Sequence, residues 1–313
     1  MRISVVIPTY QRAESLGRCL DALARQQRAA DETIVVARDE DAASRELVLA
    51  RGGGVRLVPV ARPGVVAAMN AGIAASAGDV VALTDDDAEP HRDWLERIER
   101  AYEQDPALAA AGGRDWVYIR GELWPGEAAE VGTISGYGRV VGNHHLGVGP
   151  AREVDVLKGV NLSVRGQLLR ELGIDRRLRG VGTEHHWELS LCLALRRRGL
   201  RVLYDPQIAV DHHSLPRLED SRQFSAGEVR DAAHNRTVAV LEYLPPAGRA
   251  AYLAWASLVG ISPEPGVAQL LRALVRRRGR EALGSFCGAQ LGVLEGLRTY
   301  RRCRRAAPPA QVS

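Results

Sequence analysis

The chain has 313 residues, of which 46% are hydrophobic and 26% are charged, and its formal net charge is +4. This composition is typical of a soluble globular protein with one large domain or two coupled ones. The four cysteines lie far apart and form no C-x-x-C pair, so neither a disulfide framework nor a zinc site is indicated. No apolar stretch approaches the ~20 residues that cross a bilayer, and Pro8 interrupts the first apolar run too early for a signal peptide. We therefore expect a cytoplasmic protein in a reducing compartment.

The charge is unevenly distributed along the chain. From Leu270 onward ten arginines stand against Glu281 and Glu295, a balance of +8 that leaves −4 for the residues before them. A basic tail of this kind favours an anionic neighbour, such as the inner face of a membrane or a nucleic acid. The alternative is an ordinary arginine-rich surface, because Lys158 is the only lysine in the chain.

The first hundred residues alternate short apolar runs with segments of amphipathic helical spacing. Strands are predicted over 3–8, 33–36, 55–60 and 80–84, and helices over 13–27, 44–50, 65–75 and 94–102. Strands separated by helices of this length imply crossover connections and a largely parallel sheet. We therefore predict an α/β, nucleotide-binding half over residues 1–111.

Three consecutive aspartates are the most informative feature of the sequence. The apolar run 79–84 leads directly into Asp85, Asp86 and Asp87, and the segment 88–90 is predicted to stop the strand. Open α/β sheets bind their ligands at the edge where strands end, and alternate residues of an extended segment point the same way. Asp85 and Asp87 can therefore share a cation such as Mg²⁺ or Mn²⁺ while Asp86 faces elsewhere. The alternative for this tripeptide alone is a solvated acidic turn.

The second half of the chain changes in character. Residues 112–155 are rich in glycine, tryptophan and tyrosine with little periodicity, and we predict a long functional loop there. Further elements are predicted as a strand within 154–165, a helix over 188–198, short strands at 202–204 and 208–210, and an all-helical region over 220–305 with breaks at Pro245-Pro246 and around Pro263 and Pro265. The predicted organisation is thus an acceptor half over 112–215, a helical C-terminal extension over 216–305, and a disordered tail over 306–313.

Seven segments, taken in order, resemble the family 2 glycosyltransferases, which are inverting enzymes with the GT-A fold. They are Val5-Val6-Ile7-Pro8-Thr9-Tyr10 with Arg12; Arg62-Pro63-Gly64 with Ala68-Met69-Asn70-Ala71-Gly72; Gly78-Asp79 before Leu83-Thr84-Asp85-Asp86-Asp87; Trp94-Leu95; Gly159-Val160-Asn161-Leu162-Ser163-Val164-Arg165; Trp187-Glu188-Leu189 with Leu195-Arg196-Arg197-Arg198-Gly199; and Val210-Asp211-His212. The resemblance covers roughly residues 1–215. It implies a Rossmann-like GT-A core, with a mostly parallel central sheet flanked by helices, ahead of the all-helical C-terminal extension.

The resemblance also implies a divalent cation, Mn²⁺ or Mg²⁺, at the acidic cluster. Asp87 and Asp85 are the predicted ligands. His212 matches a position at which the family often supplies a further ligand. The alternatives are that His212 is a surface residue at a strand end, or that His213 is the ring that binds.

For the catalytic base, we predict Glu188. It stands at the start of a helix, where the helix dipole favours an ionised carboxylate. The family usually carries Glu-Asp before this helix with the aspartate as base, and Trp187-Glu188 fall in register with that pair, so the chain departs from the pattern. Glu184 is the alternative base, and capping of the helix is the alternative role for Glu188.

The nucleotide is expected at the ends of the first strands. Pro8, Thr9 and Tyr10 end the first strand where the base would bind, and Asp39 is the best candidate to read it, with Asp41 second. Arg62 and Asn70 are expected to lie close to the diphosphate and the ribose of the donor. The donor site implied by the resemblance also includes Arg12, Asp85 and Asp86. The base itself (UDP, dTDP or GDP) stays open.

These features together predict a metal-dependent inverting glycosyltransferase. Its predicted partners are a nucleotide-diphosphate sugar and a hydroxyl acceptor, either a glycan or lipid-linked, with peripheral membrane contact through the basic C-terminal helices and no nucleic acid. The alternative is a catalytically degenerate protein that binds nucleotide-sugar or glycan, which the departures at Ala37-Arg38 and Trp187 favour. A nucleotidyltransferase would need a glycine-rich phosphate loop after the first strand, where this chain has Pro8-Thr9-Tyr10-Gln11.

Overall fold

The computed structural model describes residues 1–180, 182–213, 225–276 and 279–306. The chain forms two compact units. The first comprises Met1–Thr133, Val140–Arg176 and Leu195–Glu219, and the second comprises Ile134–Arg139, Arg177–Ala194 and Asp220–Ser313. Most of the predicted disordered tail, residues 307–313, lies outside the described residues, as do residues 214–224 before the helices of the second unit.

The first unit begins with the predicted alternation of strands and helices. Its opening elements are β1 (Ile3–Thr9), α1 (Ala13–Ala24), β2 (Glu32–Arg38), α2 (Ala42–Arg51), β3 (Val55–Val60), α3 (Val65–Ala75) and β4 (Val80–Leu83). β1 pairs in parallel with both β2 and β4, and β2 pairs in parallel with β3. β1, β2 and β4 are mostly buried because their residues are apolar, whereas β3, at the edge of the sheet, is half-buried or exposed. α1 buries the face that carries Leu16, Cys19, Leu20 and Leu23. The predicted α/β class is confirmed.

The elements that follow are β5 (Ala88–Pro90), α4 (Trp94–Gln104), β6 (Leu108–Ile119), β7 (Glu122–Leu123), β8 (Thr133–Ile134), β9 (Val140–Val141), β10 (Arg152–Glu153), β11 (Leu162–Arg165), α5 (Gly166–Leu172), α6 (Trp187–Arg197) and β12 (Arg201–His213). Six of these strands complete a mixed ten-stranded sheet, whereas β8 and β9 form a separate two-stranded sheet. The strand order is β10-β12-β6-β11-β4-β1-β2-β3, with β5 paired to β12 and β7 paired to β6. β11 runs antiparallel to both β4 and β6, whereas β6 and β12 are parallel.

The prediction of a long loop over residues 112–155 was wrong at its start, because β6 is a twelve-residue strand inside the sheet. Its first half consists of alanine and glycine, so it lacks the β-branched alternation by which strands are recognised. The neighbouring chains come too close for larger residues. A Cβ atom on Gly112 would lie 2.2 Å from the Asn161 carbonyl oxygen, and one on Gly113 would lie 2.0 Å from that of Asp205.

Two predicted boundaries around the acidic cluster also differ. The segment Ala88–Pro90 does not stop the sheet but forms β5, which pairs antiparallel with β12. The two short strands predicted at 202–204 and 208–210 are one strand, β12, with an irregularity between Asp205 and Val210. Pro90 is tolerated because it lies at the end of this short strand, where its missing N–H is least needed.

The second unit contains the predicted helices α7 (Ala226–Tyr243), α8 (Pro246–Leu258), α9 (Val267–Val275) and α10 (Gly279–Ala306). α7 begins with a capping box, in which Ser225 and Glu228 each bind the other's backbone N–H. α10 lies against α7 through Gly288, Gly292 and Gly296. A Cβ on Gly292 would come within 2.2 Å of the Arg230 carbonyl oxygen, so this spacing permits close helix packing. Within the described part of the chain, no helix is both long enough and apolar enough to cross a membrane.

We expect Gly113→Ala to destabilise the first unit by about 3 kcal/mol, since overpacking of a filled interior has this cost. The added methyl group would lie 2.0 Å from the Asp205 carbonyl oxygen and 2.1 Å from that of Ile208. Urea denaturation measures the change. Gly17→Ala is the matched control. Its nearest neighbour is Leu47 Cδ1 at 4.0 Å, so it should leave stability unchanged or raise it by about 0.5 kcal/mol. Equal stability of Gly113→Ala and the parent would contradict the tight strand packing.

Candidate functional site

Two of the three aspartates and one histidine converge in the first unit. Asp85, Asp87 and His212 each offer one ligand atom, and these atoms all lie within 4.8 Å of one another. The convergence depends on the pairing of β5 with β12, in which His212 stands opposite Ala88. The backbone N–H of His213 donates to the Asp87 carbonyl oxygen at 2.9 Å and fixes the register. The three residues predicted as metal ligands are therefore brought together at the end of β4.

His213, the alternative ring, lies elsewhere. Successive residues of a strand point to opposite faces, and His213 stacks on Tyr118 with ring centroids 5.0 Å apart. Its Nε2 lies 3.5 Å from Glu89 Oε1. The structure thus groups His212, rather than His213, with the two aspartates.

The carboxylate of Asp87 is shared between two cationic side chains. Its Oδ1 lies 3.5 Å from His212 Nε2, and its Oδ2 lies 3.1 Å from the Arg12 guanidinium. Arg12 also lies 3.4 Å from Asp86, whose other oxygen accepts a hydrogen bond of 2.7 Å from the Thr9 hydroxyl. Burial, together with the neighbouring charge of Asp87, raises the pKa of Asp86 to about 7. Asp86 and Asp87 therefore share the Arg12 guanidinium.

A buried carboxylate that the sequence did not single out stands behind His212. Asp115, on β6, is 0% exposed. One of its oxygens lies 3.5 Å from His212 Nδ1 and 2.5 Å from the Lys158 ammonium. Burial acts to raise the pKa of Asp115, but the His212 ring and Lys158 outweigh it and hold the pKa at about 2. Burial likewise acts to lower the pKa of His212, but Asp115 and Asp87 raise it to about 9. The His212 ring thus lies between two carboxylates, with Nδ1 toward Asp115 and Nε2 toward Asp87.

Asn161, within the third-last matching segment of the sequence, has a structural role. Its side chain is buried and accepts a hydrogen bond of 2.9 Å from the Trp94 indole N–H. Its amide group donates to the carbonyl oxygens of Arg114 and Ile208, at 3.2 Å and 2.7 Å. All its polar atoms are thus used to tie α4, β6 and β12 together beneath the acidic cluster.

The predicted nucleotide-binding residues lie at the ends of the parallel strands. Thr9 is buried against Asp86, Pro8 is half-buried, and Tyr10 is exposed with the Arg38 guanidinium 5.3 Å from its ring centre. Asp39 follows β2 and is exposed. The ring of Tyr10 and the carboxylate of Asp39 are therefore both open to solvent at this edge of the sheet.

Arg62 and Asn70 have different surroundings. Arg62 is exposed in the connection between β3 and α3. Asn70 braces α3, since its amide group donates to the carbonyl oxygens of Val66 and Ile174 and its carbonyl accepts from the Ile174 N–H at 2.9 Å. A contact of Asn70 with ribose stays a prediction, and the structure adds a bracing role.

The two candidate bases belong to the second unit. Glu188 is half-buried in the first turn of α6, and Glu184 is buried in the segment before that helix. His186, between them, has a φ of +68°, a left-handed conformation that costs free energy for a residue other than glycine. A segment held in this conformation must be anchored by its neighbours.

Buried residues of α7 supply that anchor. Asn235, which is fully buried, accepts from the Arg179 N–H at 2.8 Å and donates to the carbonyl oxygens of Arg179 and His185 at 2.8 Å and 3.0 Å. His234 Nδ1 lies 3.0 Å from Asn235 Oδ1, and this contact helps to fix the orientation of the amide group. The segment that carries Glu184 is thus bound at both ends by one asparagine.

A second anchor comes from the turn between α8 and α9. Glu264 is buried there and lies 2.9 Å from His186 Nε2 and 3.2 Å from the Arg236 guanidinium. Burial acts to raise the pKa of Glu264, but Arg236 and His186 outweigh it and hold the pKa below its usual value. Sequence patterns gave no indication of Asn235 or Glu264, because the backbone groups that Asn235 binds and the side chains that Glu264 contacts lie 28 to 78 positions away.

Comparisons with known proteins agree with the family resemblance seen in the sequence. Residues 4–149 match the family model of glycosyl transferase family 2. The chain is 30% identical, over 227 residues, to a glucosyl-dolichyl phosphate glucuronosyltransferase of Haloferax volcanii, which covers 68% of this chain and 69% of that protein.

Solved structures share the fold. Residues 1–349 of Staphylococcus aureus TarS, in complex with UDP-GlcNAc, superpose with a TM-score of 0.62 at 15% identity, covering 98% of this chain and 92% of that one. The mannosyltransferase PcManGT from Pyrobaculum calidifontis, in complex with GDP-Man and Mn²⁺, superposes with a TM-score of 0.53 at 17% identity, covering 96% and 87%. The GT-A architecture expected from the sequence is confirmed.

We expect Glu264→Gln to lower the stability of the second unit by about 3 kcal/mol at neutral pH, because it leaves Arg236 buried without its counter-charge. The folded-state pKa of Glu264 lies below the ordinary value of 4.5. Its contribution is therefore complete above pH 4.5 and is lost as the pH falls through the folded-state pKa. The difference in melting temperature between parent and variant should shrink as the pH falls below 4.5. Glu171→Gln, on the exposed surface of α5, is the control. A difference that stays constant down to acid pH would contradict this role.

Proposed function

Because the chain belongs to glycosyl transferase family 2, we propose that it transfers a sugar from a nucleotide-diphosphate donor to a hydroxyl acceptor. We propose further that the transfer inverts the anomeric centre and uses a divalent cation. The observation that carries this proposal is the convergence of Asp85, Asp87 and His212 within 4.8 Å, at the sheet edge where α/β proteins bind their ligands.

The donor set of this cluster fits a divalent cation. Carboxylate oxygens suit Mg²⁺ and Mn²⁺, whereas imidazole suits transition metals, so two carboxylates with one ring favour Mn²⁺ over Mg²⁺. Asp87, Asp85 and His212 are the proposed ligands, with Asp115 orienting the ring of His212. PcManGT was solved with Mn²⁺, which supports the same choice. A bound cation would neutralise the charge that develops on the diphosphate leaving group.

The nucleotide is proposed to lie along the ends of β1 and β2. The exposed Tyr10 ring offers a stacking surface to the base, and Asp39 offers a carboxylate to its polar edge. Pro8 and Thr9 belong to the same edge, and Asp86 is proposed to accept from ribose hydroxyls. The guanidinium groups of Arg12 and Arg62 are proposed to contribute positive charge toward the diphosphate. Asn70 is the last residue of the proposed donor site and would lie near the diphosphate and ribose. TarS binds UDP-GlcNAc and PcManGT binds GDP-Man, so UDP, dTDP and GDP all remain candidates.

Glu188 is the proposed general base, with Glu184 as the alternative. Its carboxylate takes the proton of the acceptor hydroxyl as the oxygen attacks the anomeric carbon. The bond from that carbon to the diphosphate oxygen breaks in the same displacement, and the leaving group carries away the electron pair. One base and one displacement give inversion. Asn235 and Glu264 serve this step by holding the segment between residues 179 and 186.

The proposed division of labour follows the order of the chain. Residues 1–111 bind the donor, residues 112–215 form the acceptor and catalytic half, and residues 216–305 form a helical extension. The acceptor is proposed to be a glycan or a lipid-linked hydroxyl compound. The Haloferax relative is named for a dolichyl phosphate substrate, which favours the lipid-linked class. The chain would then work in the cytoplasm and reach the inner face of the membrane through its basic C-terminal helices.

We expect a nucleotide-sugar to raise the melting temperature only when Mn²⁺ is present, since a ligand that binds the native state stabilises it by mass action. A panel of UDP-, dTDP- and GDP-sugars measured by thermal shift tests this. Asp87→Ala should abolish the metal-dependent shift, whereas Asp21→Ala, on the exposed face of α1, should keep it. No shift with any nucleotide in the parent would contradict the donor site.

We expect Glu188→Gln to lower kcat by about a hundredfold to ten-thousandfold, which is the usual contribution of a general base. Nucleotide binding should survive, because the amide is isosteric. Glu184→Gln is measured beside it and should have a smaller effect. The reverse ranking would identify Glu184 as the base. If neither change lowers turnover, neither glutamate is the base. If the parent binds nucleotide without any turnover, the chain is the degenerate binding protein.

A further inference from the structure

The apolar face of α9 is turned to solvent. No residue of this helix is buried, and the exposed side chains are Val267 at 39%, Leu271 at 57%, Leu274 at 48% and Val275 at 85%. Their spacing of four, seven and eight positions places them on one side of the helix. The opposite side, with Gln269 and Ala273, is half-buried. α9 is therefore packed on the second unit by its less apolar side.

A tight turn joins this face to the end of α8. Gly260 has a φ of +64° and bridges to Pro265, and the Gly266 N–H donates to the Val259 carbonyl oxygen at 3.2 Å. Leu258 and Val259 are exposed at this point, at 59% and 42%. The α8–α9 patch is defined as Leu258, Val259, Val267, Leu271, Leu274 and Val275. An apolar surface of this kind on a folded unit marks an interaction site.

The charge around the patch selects the kind of partner. The sequence from Pro265 to Arg280 contains five arginines and no acidic residue. Of these, Arg272 and Arg276 are exposed beside the apolar stripe of α9. A second copy packed patch against patch would bring like charges together, and a nucleic acid would leave the aliphatic side chains in water. An anionic lipid surface satisfies both the apolar and the basic part.

We propose that the α8–α9 patch docks the protein onto an anionic lipid surface. The aliphatic side chains enter the boundary between headgroups and acyl chains, and Arg272 and Arg276 extend to the lipid phosphates. The inference deepens the peripheral membrane contact proposed above and rests on it, but its test requires neither donor nor acceptor.

The test measures binding of the full chain to vesicles by sedimentation. The vesicles are phosphatidylcholine with or without phosphatidylglycerol, at low and high salt. We expect binding to the anionic vesicles, weakened by salt because exposed charges are screened. Leu271→Glu should lower the lipid partition coefficient at least tenfold. Leu49→Glu changes a similarly exposed leucine of α2 (68% exposed) and is the matched control that should bind as the parent does. Arg272→Gln and Arg276→Gln should each lower binding to anionic vesicles roughly fivefold.

Three results would overturn the proposal. They are absence of vesicle binding by the folded parent, equal loss of binding in Leu49→Glu and Leu271→Glu, and conversion of a dimer to a monomer by Leu271→Glu without vesicle binding by the parent. The last would show that a second copy covers the patch. Light scattering and melting curves accompany each variant, so that misfolding is recognised. The nucleotide thermal shift is measured on the same samples, and its retention alongside failed docking would separate the two proposals.

Discussion

The close approach of β12 to β6 and β5 is the constraint on which the first unit depends. Gly113 has no side chain because the carbonyl oxygens of Asp205 and Ile208 occupy the space a Cβ would need. This approach aligns β12 so that its end pairs with Ala88–Pro90, directly after the aspartates. His212 reaches Asp87 only through this pairing, since more than a hundred residues separate the two along the chain. The scaffold therefore creates the cluster by backbone geometry, before any side chain contributes.

The arrangement of charge at this edge explains how three adjacent carboxylates can coexist in a mostly buried place. Arg12 neutralises one side of Asp87 and part of Asp86, and Asp86 carries a raised pKa of about 7. Behind them, the buried Asp115 pairs with the partly exposed Lys158 and faces His212. Asp86, Asp87 and Asp115 therefore each face a cationic side chain.

Local patterns predicted the first strands and helices of the fold well. The elements that were missed depend on contacts between residues far apart in the sequence. The strand at Ile3–Thr9 and the helix after it are recognisable from β-branched and amphipathic spacing, and the aspartates follow an apolar run. β6 was missed because Leu108 to Gly113 carries alanine and glycine, whose strand conformation depends on its neighbours. Asp115 and Lys158 gave no motif, although a single lysine in an arginine-rich chain is a usable signal. Asn235 acts on a segment about fifty positions away, which no local pattern reveals.

Glu264 gives the second unit a fixed internal distance. Its carboxylate belongs to the turn that ends at α9 and reaches His186, two residues before Glu188. A lipid surface touching α9 would therefore stand at a set height from the proposed base, with no flexible linker between them. The height of the Glu188 segment above the membrane would then be set by the fold of the second unit rather than by the acceptor.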